Sequence, residues 1–304
     1  RHFNVCLVDQ KSHFEFLPNI HEILSGVKRP RDVRLDLAQQ MSALQHRFLK
    51  ASVEGIAPEK KQVILNNGTT LNYDYLVVGL GAIDASYGVE GIEPNAFSFK
   101  SAEQCAAIYH QLNELRVASK PSRVTIIGAG ITGVEALGEI FRNEQFSHLK
   151  ITILEAQSRL LPKNSPELDR YIRDLCKPYP VDFRCHEAAQ RIRKKSVLLR
   201  SGESLASDLT IWTGGPAPSP LLGKSGLAEP AAWAPVDDYL CSTRVDDVFI
   251  TGDSADVPST PAKQAYHAID MGEAVAQNMR ALSSGQKMMR YRPSPKPQLI
   301  SFGG

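Results

Sequence analysis

The sequence predicts an α/β protein made of two nested units of the same kind, the second inserted into the first. Three features of the 304 residues lead to this prediction. A glycine-rich turn joins a predicted strand to a predicted helix at 123–141. A strand that ends in an acid opens the chain at 3–10, and a strand followed by Gly252 and Asp253 lies near its end. Because these signals interleave two sets of parallel strands, one unit has to interrupt the other.

The stretch RVTIIGAGITGVEALGEIF, residues 123–141, has the pattern of a strand, a tight turn and a helix. Residues 124–127 are apolar and β-branched, as in a buried parallel strand, and residues 134–141 have helical character. Gly128, Gly130 and Gly133 lie between them in G-x-G-x-x-G spacing. The first permits the tight turn, the second lets a pyrophosphate approach the backbone, and the third allows close packing of helix and strand. The helix N-terminus adds free N–H groups for the phosphates.

The next predicted strand, KITILEAQ, carries Glu155, which lies 22 residues after Gly133. A carboxylate here can accept hydrogen bonds from both ribose hydroxyls and would repel a 2′-phosphate, so it favours NADH over NADPH. Arg159 is the nearby residue that could weaken this preference. Thr132, inside the turn, is a further expected NADH contact. The alternative, a glycine-rich turn without a ligand, is less favoured because strand, helix and acid are all in place.

The opening stretch FNVCLVDQ repeats the pattern of a β-rich run that ends in an acid, here Asp9. It predicts the second strand of another Rossmann-like fold, whose first strand and glycine turn are expected about 25 residues upstream, before Arg1. The sequence is therefore expected to be a fragment that begins near the end of the first helix. The alternative is that Asp9 is a turn residue at a strand end. Cys6 is expected to be a small apolar filler.

Residues 46–82 predict antiparallel strands with turns at 59–61 and 67–68, followed by a buried strand over 75–78. That strand runs into small residues, which permit close approach of the backbone. The strand over 209–212 has the same continuation, so each half carries an equivalent pair of elements. The small residues expected to lie against the nucleotides are Gly79, Gly81 and Ala82 in the first half, and Gly214 and Gly215 in the second.

The stretch DDVFITGDSADVP, residues 246–258, completes the order of elements. A buried strand over 248–251 precedes Gly252 and Asp253, at a point where a helix is expected to start. An aspartate there can hydrogen-bond a ribityl hydroxyl of a flavin, while helix N–H groups face the pyrophosphate. The predicted domains are residues 1–118 and 237–304 for FAD, and residues 119–236 for NADH.

Composition excludes several classes of function. Lys and Arg number 35 against 33 Asp and Glu, without a basic block, so nucleic acid is not an expected partner. No apolar run reaches the ~18 residues that a membrane span requires. The five cysteines are scattered singly, as expected of reduced thiols in a cytoplasmic protein, and no Cys/His cluster predicts a metal site.

In this order the motifs resemble the pyridine-nucleotide–disulfide oxidoreductase superfamily, a group of flavoproteins with two dinucleotide-binding folds. The stretches that carry the resemblance are LVDQKSHFEFLPNIHEILSG, LNYDYLVVGLGA, VTIIGAGITGVEALGE, IWTGG and VFITGDSADV. Within the superfamily the chain is most similar to type II NADH:quinone oxidoreductases and to the apoptosis-inducing-factor-like (ferroptosis-suppressor) quinone reductases. The resemblance covers nearly the whole chain. It departs from the family at the upstream flavin turn and in the C-terminal segment, which often carries a membrane-docking surface.

The resemblance implies an FAD-dependent enzyme that takes a hydride from NADH and passes two electrons to a quinone-like acceptor. Residues 11–40 contain no cysteine, so the dithiol relay of the disulfide reductases is excluded. The sulfide:quinone branch is disfavoured because residues 131–133 carry no cysteine and none follows Cys241. The expected location is cytoplasmic, with peripheral contact to the inner face of a membrane. The oligomeric state stays open, with a homodimer among the alternatives.

The expected catalytic residues are Glu135, in the family's GVE position, and Lys263. Glu135 can point toward the contact of flavin and nicotinamide or be an ordinary buried carboxylate. Lys263 can stabilise negative charge on reduced flavin or lie exposed at the start of a helix over 261–279. Tyr266 and His267 of that helix are expected to contact the acceptor, although type II quinone reductases often carry glutamines at the positions of Tyr266 and Asp270.

Two further expectations concern helix faces. Glu139 is expected on the helix surface or as a packing partner, and Ala265, Ala268 and Gly272 are expected on a close-packed face. Two alternatives to the quinone reductase remain open at this point. One is a nucleotide-binding sensor of the apoptosis-inducing-factor type with slow turnover, and the other is a reductase of a ferredoxin-like protein.

Overall fold

The computed structural model describes residues 3–258 and 263–303. The chain forms two compact units, each assembled from separate segments. Unit 1 comprises Arg1–Phe14, Leu35–Ile83 and Pro216–Pro297, and unit 2 comprises Glu15–Arg34, Asp84–Gly215 and Gln298–Gly304. The domain boundaries at 118/119 and 236/237 stay a prediction.

The strands of the described residues are, in chain order, β1 (Cys6–Asp9), β2 (His13–Glu15), β3 (Arg34–Asp36), β4 (Arg47–Lys50), β5 (Val53–Ala57), β6 (Gln62–Leu65), β7 (Thr70–Asn72), β8 (Leu76–Val78), β9 (Ala82–Asp84), β10 (Phe97–Ser98), β11 (Arg123–Ile127), β12 (Lys150–Glu155), β13 (Val181–Cys185), β14 (Ala189–Arg193), β15 (Ser196–Leu199), β16 (Ser204–Ala206), β17 (Leu209–Trp212), β18 (Pro216–Pro218), β19 (Ala234–Pro235), β20 (Val248–Ile250) and β21 (Ala255–Asp256).

The α-helices are α1 (Leu37–Ala43), α2 (Ile92–Asn95), α3 (Ala102–Arg116), α4 (Ile131–Arg142), α5 (Pro166–Leu175), α6 (Pro220–Lys224) and α7 (Ala265–Ser283). Short 3-10 turns lie at Leu17–Ile23, Pro30–Val33, Pro58–Lys60, Glu144–Phe146 and Gly252–Ser254.

Unit 2 is built on a parallel sheet with the strand order β10-β17-β11-β12-β13. The chain leaves β11 toward β12 on one side, and β17 returns on the other, so the strand order reverses at β11. In open parallel sheets, ligands bind outside the carboxyl ends of the strands at such a switch point. The predicted glycine turn directly follows β11, which places it at this position.

The core of unit 2 lies on both faces of this sheet: helices α3, α4 and α5 pack on one face, and residues of β14 and β15 pack against Ile127, Leu154 and Trp212 on the other. β11 and β17 are nearly continuous apolar runs, and Ile126 and Ile211 are fully buried, as expected of strands covered on two sides. α4 buries a broad apolar face that includes Val134, Leu137 and Ile140. Phe141 at the end of this helix stacks on Tyr179 with ring centroids 4.0 Å apart. The site therefore sits on a rigid, close-packed framework.

Unit 1 contains three parallel pairs, β1 with β4, β8 with β20 and β19 with β21, and the antiparallel sheet β5-β6-β7. The predicted turns of this meander are confirmed. Lys61 adopts a left-handed φ of 50° between β5 and β6, and Gly68 a φ of 80° between β6 and β7. The expectation for Cys6 is wrong: this side chain is exposed, because β1 pairs only with β4 among the described strands.

None of the helices in the described residues is both long and apolar enough to cross a membrane.

Candidate nucleotide-binding site

The glycine turn after β11 is held by contacts that exclude side chains at two positions. A Cβ on Gly133 would lie 1.9 Å from the carbonyl oxygen of Gly128. A Cβ on Gly128, whose φ is 106°, would lie 2.6 Å from the carbonyl oxygen of Thr213. Glycine is therefore required at both positions by sterics, and at Gly128 by the left-handed backbone as well. The predicted roles in turn geometry and helix–strand packing agree with these contacts.

Thr213 is a residue that sequence reasoning missed. Its hydroxyl Oγ1 lies 3.0 Å from the carbonyl oxygen of Ile127 and 2.7 Å from that of Gly128, and it can donate to either. Its backbone N–H donates to the carbonyl oxygen of Ile127 at 2.9 Å. Thr213 thus ties the end of β17 to the start of the glycine turn. The only signal in the sequence was its place in IWTGG, directly before the small residues.

Gly130 differs from the other two glycines because its surroundings are open. A Cβ there would meet nothing within 4 Å among the described residues. Gly130 is the N-cap of α4 and provides no side-chain cap, so N–H groups of the first turn, which includes Thr132, have no intrahelical partner. A pyrophosphate oxygen can accept from such groups and gains from the helix dipole. Open backbone at an uncapped helix start fits a dinucleotide.

Glu155 ends β12 beside this turn and is 9% exposed. One carboxylate oxygen accepts from the backbone N–H of Ala129 at 2.8 Å, and the other accepts from that of Gln157 at 2.9 Å. These bonds fix the carboxylate against the glycine turn. An ionised carboxylate offers about four acceptor positions, so it can still receive ribose hydroxyls. The geometry is compatible with the predicted role.

The guanidinium of Arg159 is hydrogen-bonded within its own loop and is not a free cation beside Glu155. Its guanidinium donates to the carbonyl oxygens of Pro162, at 2.9 Å, and Leu161, at 3.4 Å. The same loop is closed over the turn, since the N–H of Leu161 donates to the carbonyl oxygen of Ala129 at 2.9 Å. Recruiting Arg159 to a 2′-phosphate would therefore cost these bonds.

Glycine is required at positions 214 and 215 for different structural reasons. A Cβ on Gly214 would lie 2.5 Å from the indole ring of Trp212, so the glycine makes room for that ring. Gly215 has a φ of 103°, and its carbonyl oxygen accepts from the N–H of Ala85 at 2.9 Å. The indole N–H of Trp212 donates to the carbonyl oxygen of Ala85 at 3.0 Å. Both glycines serve the packing of this segment, and their contact with NADH stays a prediction.

Glu135 lies in α4, shortly after the glycine turn, and is half-buried. Its carboxylate accepts from the backbone N–H of Ser301 at 3.3 Å. Burial raises the pKa of Glu135 above its ordinary value, and the nearby carboxylate of Glu139 adds to this. The hydrogen bond from Ser301 and the proximity of His21 act in the opposite direction on the pKa of Glu135. Glu135 is a carboxyl group biased toward its neutral form.

The segment that reaches Glu135 also covers Gly138, which sequence reasoning did not identify. A Cβ on Gly138 would lie 2.7 Å from the Cα of Phe302, and Phe302 packs against the core of unit 2. Gln298 accepts a hydrogen bond of 2.6 Å from Asn164 at the other end of the segment. Residues 298–303 are therefore laid across α4, which a one-dimensional reading of LISFGG does not indicate.

In unit 1, the small-residue turn after β8 contacts the Gly252–Ser254 turn after β20. The hydroxyl of Ser254 donates to the carbonyl oxygen of Gly81 at 3.1 Å. A Cβ on Gly79 would lie 3.4 Å from Oγ1 of Thr251. Gly81 and Gly252 both adopt left-handed φ values, 65° and 61°. The structure thus brings together the small residues that sequence patterns assigned to the flavin, and half-buried Ala82 begins β9 directly after them.

The two predicted acids of the flavin site lie at the carboxyl ends of their strands. Asp9 ends β1, and its Oδ1 accepts from the N–H of Lys11 at 2.7 Å. Asp253 lies in the 3-10 turn and is half-buried. The expectation that a helix follows at once is wrong in position, because β21 comes next and α7 begins at Ala265. The expected start of that helix at residue 261 lies outside the described residues.

Lys263 precedes α7 and is engaged by the turn. Its Nζ donates to the carbonyl oxygens of Asp253, at 2.8 Å, and Ala255, at 2.5 Å. The ammonium also lies 4.1 Å from the ring centroid of Trp233, a cation–π contact that sequence reasoning missed. Burial lowers the pKa of Lys263. The sequence allowed two hypotheses for Lys263. These contacts exclude an exposed lysine at the helix start, while the role of Lys263 in stabilising a reduced flavin stays a prediction.

The face of α7 that packs into the core differs from the predicted one. Met271 and Val275 are buried, and Ala268 lies at the position that a Cβ on Gly252 would approach to 3.3 Å. Gly272 is exposed, and a Cβ there would meet no described atom within 4 Å, so its assignment to a close-packed face is wrong. The buried residues of α7 lie one position before the predicted ones: His267 before Ala268, and Met271 before Gly272.

The two predicted acceptor contacts on α7 have opposite environments. Tyr266 is 45% exposed, whereas His267 is 2% exposed. The Nδ1 of His267 is buried without a hydrogen-bond partner among the described residues. Contact of either residue with an acceptor stays a prediction.

A cavity of about 480 Å³ in unit 2 is separate from the glycine turn. Residues of α2 and α3 line it, together with Lys194, Lys195, Asp208 and the first two residues of β17. It lies at the amino end of β17, whereas the glycine turn follows the carboxyl end of β11. The cavity is therefore not part of the candidate nucleotide site.

A parallel sheet with a glycine turn at its switch point and an acid at the end of the next strand defines a dinucleotide-binding protein. The chain belongs to the pyridine nucleotide-disulphide oxidoreductase family, whose model matches residues 1–272. This assignment confirms the predicted superfamily and the fold class of two Rossmann-like domains, and it supports the predicted cofactor pair, FAD and NADH.

Individual relatives are distant. A probable NADH dehydrogenase of Dictyostelium discoideum is 25% identical over 284 residues, which cover 84% of this chain. The match spans 63% of the length of that relative. A type II NADH:quinone oxidoreductase of Staphylococcus aureus is 24% identical over 325 residues, covering 98% of this chain and 80% of the relative. The structure is similar to that of a ferredoxin reductase from Rhodopseudomonas palustris, with a TM-score of 0.82, 19% identity and coverage of 96% of this chain and 72% of that one.

Proposed function

We propose that the protein is an FAD-dependent NADH oxidoreductase that takes a hydride from NADH and passes two electrons to a quinone-like acceptor. The observation that carries this proposal is the turn of unit 2, where open backbone at Gly130 meets an uncapped helix start beside the carboxylate of Glu155. Such a site binds a pyrophosphate and a ribose together, which is the chemistry of a dinucleotide. The relatives named an NADH dehydrogenase and a type II NADH:quinone oxidoreductase support the class of reaction.

The residues of unit 2 would hold NADH. Gly128 and Gly133 set the shape of the turn, and Gly130 with Thr132 offers N–H groups to the pyrophosphate. Glu155 would accept the ribose hydroxyls and disfavour a 2′-phosphate through charge repulsion. The bonds of Arg159 to its own loop support the same preference for NADH.

The residues of unit 1 would hold FAD. Asp9 would accept ribose hydroxyls, and Asp253 would hydrogen-bond the ribityl chain, each at the carboxyl end of its strand. The backbone of Gly81 and Gly252, with both φ values left-handed, keeps the facing turns free of side chains. When bound, the flavin supplies the two-electron chemistry, and the protein supplies binding, orientation and electrostatics.

The two predicted catalytic residues would act through charge. Lys263 would place a positive charge near the flavin end of the Asp253 turn, because its ammonium is already fixed there by two carbonyl oxygens. Glu135 would hold a proton near the start of α4. Tyr266 and His267 would line the acceptor slot. We also propose a cytoplasmic location with peripheral contact to a membrane, where a quinone acceptor would be found.

A stopped-flow experiment on the FAD-loaded protein tests this function. Mixing with NADH should bleach the flavin absorbance rapidly, and a short-chain quinone should then restore it. Slow bleaching with a long-lived charge-transfer band would contradict turnover and support the sensor alternative. Rapid bleaching followed by recolouring with a ferredoxin-type protein, but not with quinone, would support the second alternative, which the fold shared with a ferredoxin reductase favours.

A further inference from the structure

A buried carboxylate lies one helical turn beyond Glu135 and has partners of its own. Glu139 in α4 is 0% exposed. The Oγ of Ser25 contacts both its Oε2 and, at 3.0 Å, the carbonyl oxygen of Glu22, and an ionised carboxylate is the stronger acceptor for the single hydroxyl proton. Nη1 of Arg142 lies 3.3 Å from its Oε1. A carboxylate removed from water is costly unless hydrogen-bond donors and a counter-charge compensate it. Ser25 and Arg142 supply one of each. Of the two expectations for Glu139, the surface position is therefore wrong and the packing partner agrees with its burial.

The partners of Glu139 are anchored by a second layer of polar contacts. Arg142 lies 3.4 Å from a carboxylate oxygen of Glu22, whose other oxygen lies 2.5 Å from Nζ of Lys28. The side chain of Asn143 donates to the carbonyl oxygen of Ser25 at 3.0 Å. Ser25 and Arg142 are thus held in place from both sides, and their support of a charge on Glu139 requires no rearrangement.

The charged and titratable groups around Glu135 come from two elements. The segment 17–28 presents His21, Glu22 and Lys28, and α4 itself carries Glu139 and Arg142. Residues 298–303, which cover the helix, carry no charged side chain. Glu135 and Glu139 are four residues apart, so their side chains lie on the same face of the helix.

Two carboxyl groups at this spacing, one buried and one half-buried, do not ionise equally well, because like charges in a poorly solvated site repel each other. The group with the better donors keeps the charge, and the other keeps the proton. Glu139 has the hydroxyl of Ser25 and the guanidinium of Arg142, whereas Glu135 accepts a long hydrogen bond from a backbone amide. The hydrogen-bond donors around the pair therefore favour a negative charge on Glu139 rather than on Glu135.

We propose that Glu139 is a positioning residue whose ionised carboxylate, held by Ser25 and Arg142, adds to burial in keeping the proton on the carboxyl group of Glu135. This assigns acid and base within the pair: Glu135 is the group that can release a proton, and Glu139 is the fixed charge that retains it there. The use of that proton rests on the proposed function, since NADH, one proton and an oxidised quinone-like acceptor give NAD⁺ and the two-electron-reduced, doubly protonated acceptor. The protonation state itself does not depend on that function.

The test is a titration of Glu135 in the full protein without NADH or an acceptor. Glutamate labelled with ¹³C at the side-chain carboxyl carbon gives resonances whose shifts follow ionisation, and the resonance lost in Glu135→Gln identifies Glu135. In the unaltered protein its midpoint should lie above the ordinary glutamate range. Glu139→Gln removes the neighbouring charge with little change of shape, so the midpoint of Glu135 should move to lower pH.

A second variant keeps the proposal testable if Glu139→Gln does not fold. Ser25→Ala removes the donor to Glu139 and makes its charge less favourable, so the midpoint of Glu135 should again move to lower pH. Glu144→Gln, an exposed glutamate just beyond α4, is the matched control and should leave the midpoint unchanged. An unchanged or higher midpoint in the folded Glu139 or Ser25 variant would overturn the proposal. Because no redox partner is present, this result is distinct from failure of the proposed function.

Discussion

The glycine turn offers a pair of substitutions with opposite expected effects. Gly133→Ala and Gly130→Ala add the same methyl group, three residues apart, to the same turn. At Gly133 the new Cβ would lie 1.9 Å from a backbone oxygen of Gly128 and 2.9 Å from Oγ1 of Thr213. At Gly130 it would meet nothing within 4 Å among the described residues. The first variant should lose stability, and the second should lose NADH binding.

The expected sizes follow from these contacts. Inserting a methyl group into a packed site costs about 1–3 kcal/mol, and a carbonyl fixed inside the turn cannot swing away, so Gly133→Ala should cost about 3 kcal/mol. Gly130 has a φ of −68°, which alanine adopts without strain, so its free energy of unfolding should change by less than about 1 kcal/mol. The methyl group there would occupy the approach of the pyrophosphate, and Kd for NADH should rise about tenfold or more, equivalent to roughly 1.4 kcal/mol.

Urea unfolding followed by the fluorescence of Trp212 measures the stability of unit 2. The chain has two tryptophans, and Trp212 is 2% exposed beside the glycine turn. Measurements in a Trp233→Phe background remove the signal from unit 1. Isothermal titration calorimetry gives Kd for NADH under the same conditions. Stability of Gly133→Ala within about 0.5 kcal/mol of its parent, or unchanged NADH affinity of Gly130→Ala, would refute the steric reasoning.

Three further predictions concern the cofactors and the acceptor. Glu155→Ala should shrink the preference for NADH over NADPH by roughly 1–3 kcal/mol, measured as the ratio of kcat/KM values; equal efficiency with both cofactors before mutation would contradict the assignment. The full-length protein should purify yellow with non-covalent FAD, and a folded, colourless preparation that takes up no FAD would exclude the flavin site. Lys263→Met should slow reoxidation of the flavin by quinone in stopped flow and leave its reduction by NADH nearly unchanged, provided that FAD content is first shown to be normal. If reoxidation is unchanged, the role of Lys263 is structural: its ammonium stabilises the Asp253 turn through hydrogen bonds.

Short stretches of sequence were sufficient to predict the elements whose conformation depends on neighbouring residues. The strand, turn and helix around Gly128, Gly130 and Gly133 follow from β-branched residues, glycine spacing and helical periodicity, all within one short stretch. The acid at Glu155 follows from the spacing of strands in this type of fold. The structure places each of them as expected, because short-range sterics and backbone hydrogen bonds decide them.

Contacts between distant segments could not be derived in the same way. Thr213 binds the glycine turn from β17, Trp233 covers Lys263, and residues 298–303 lie across Gly138. Nothing in the neighbouring sequence of any of these residues indicates its partner. The same limit explains the wrong face assigned to α7 at Gly272, since periodicity gives the spacing of a packed stripe but not its phase when small residues are spread around the helix.

The sequence by itself determined the order of the elements, the turn chemistry and the family, because each depends on residue types at fixed short separations. Only the tertiary structure decided which polar groups are buried together. The sequence left Glu139 as either a surface residue or a packing partner, and the segment that carries Ser25 folds over it and removes its carboxylate from water. Burial and the distance to other charges set the protonation of a carboxyl group. Both are properties of the folded chain, so the unequal pair of Glu135 and Glu139 appears only in three dimensions.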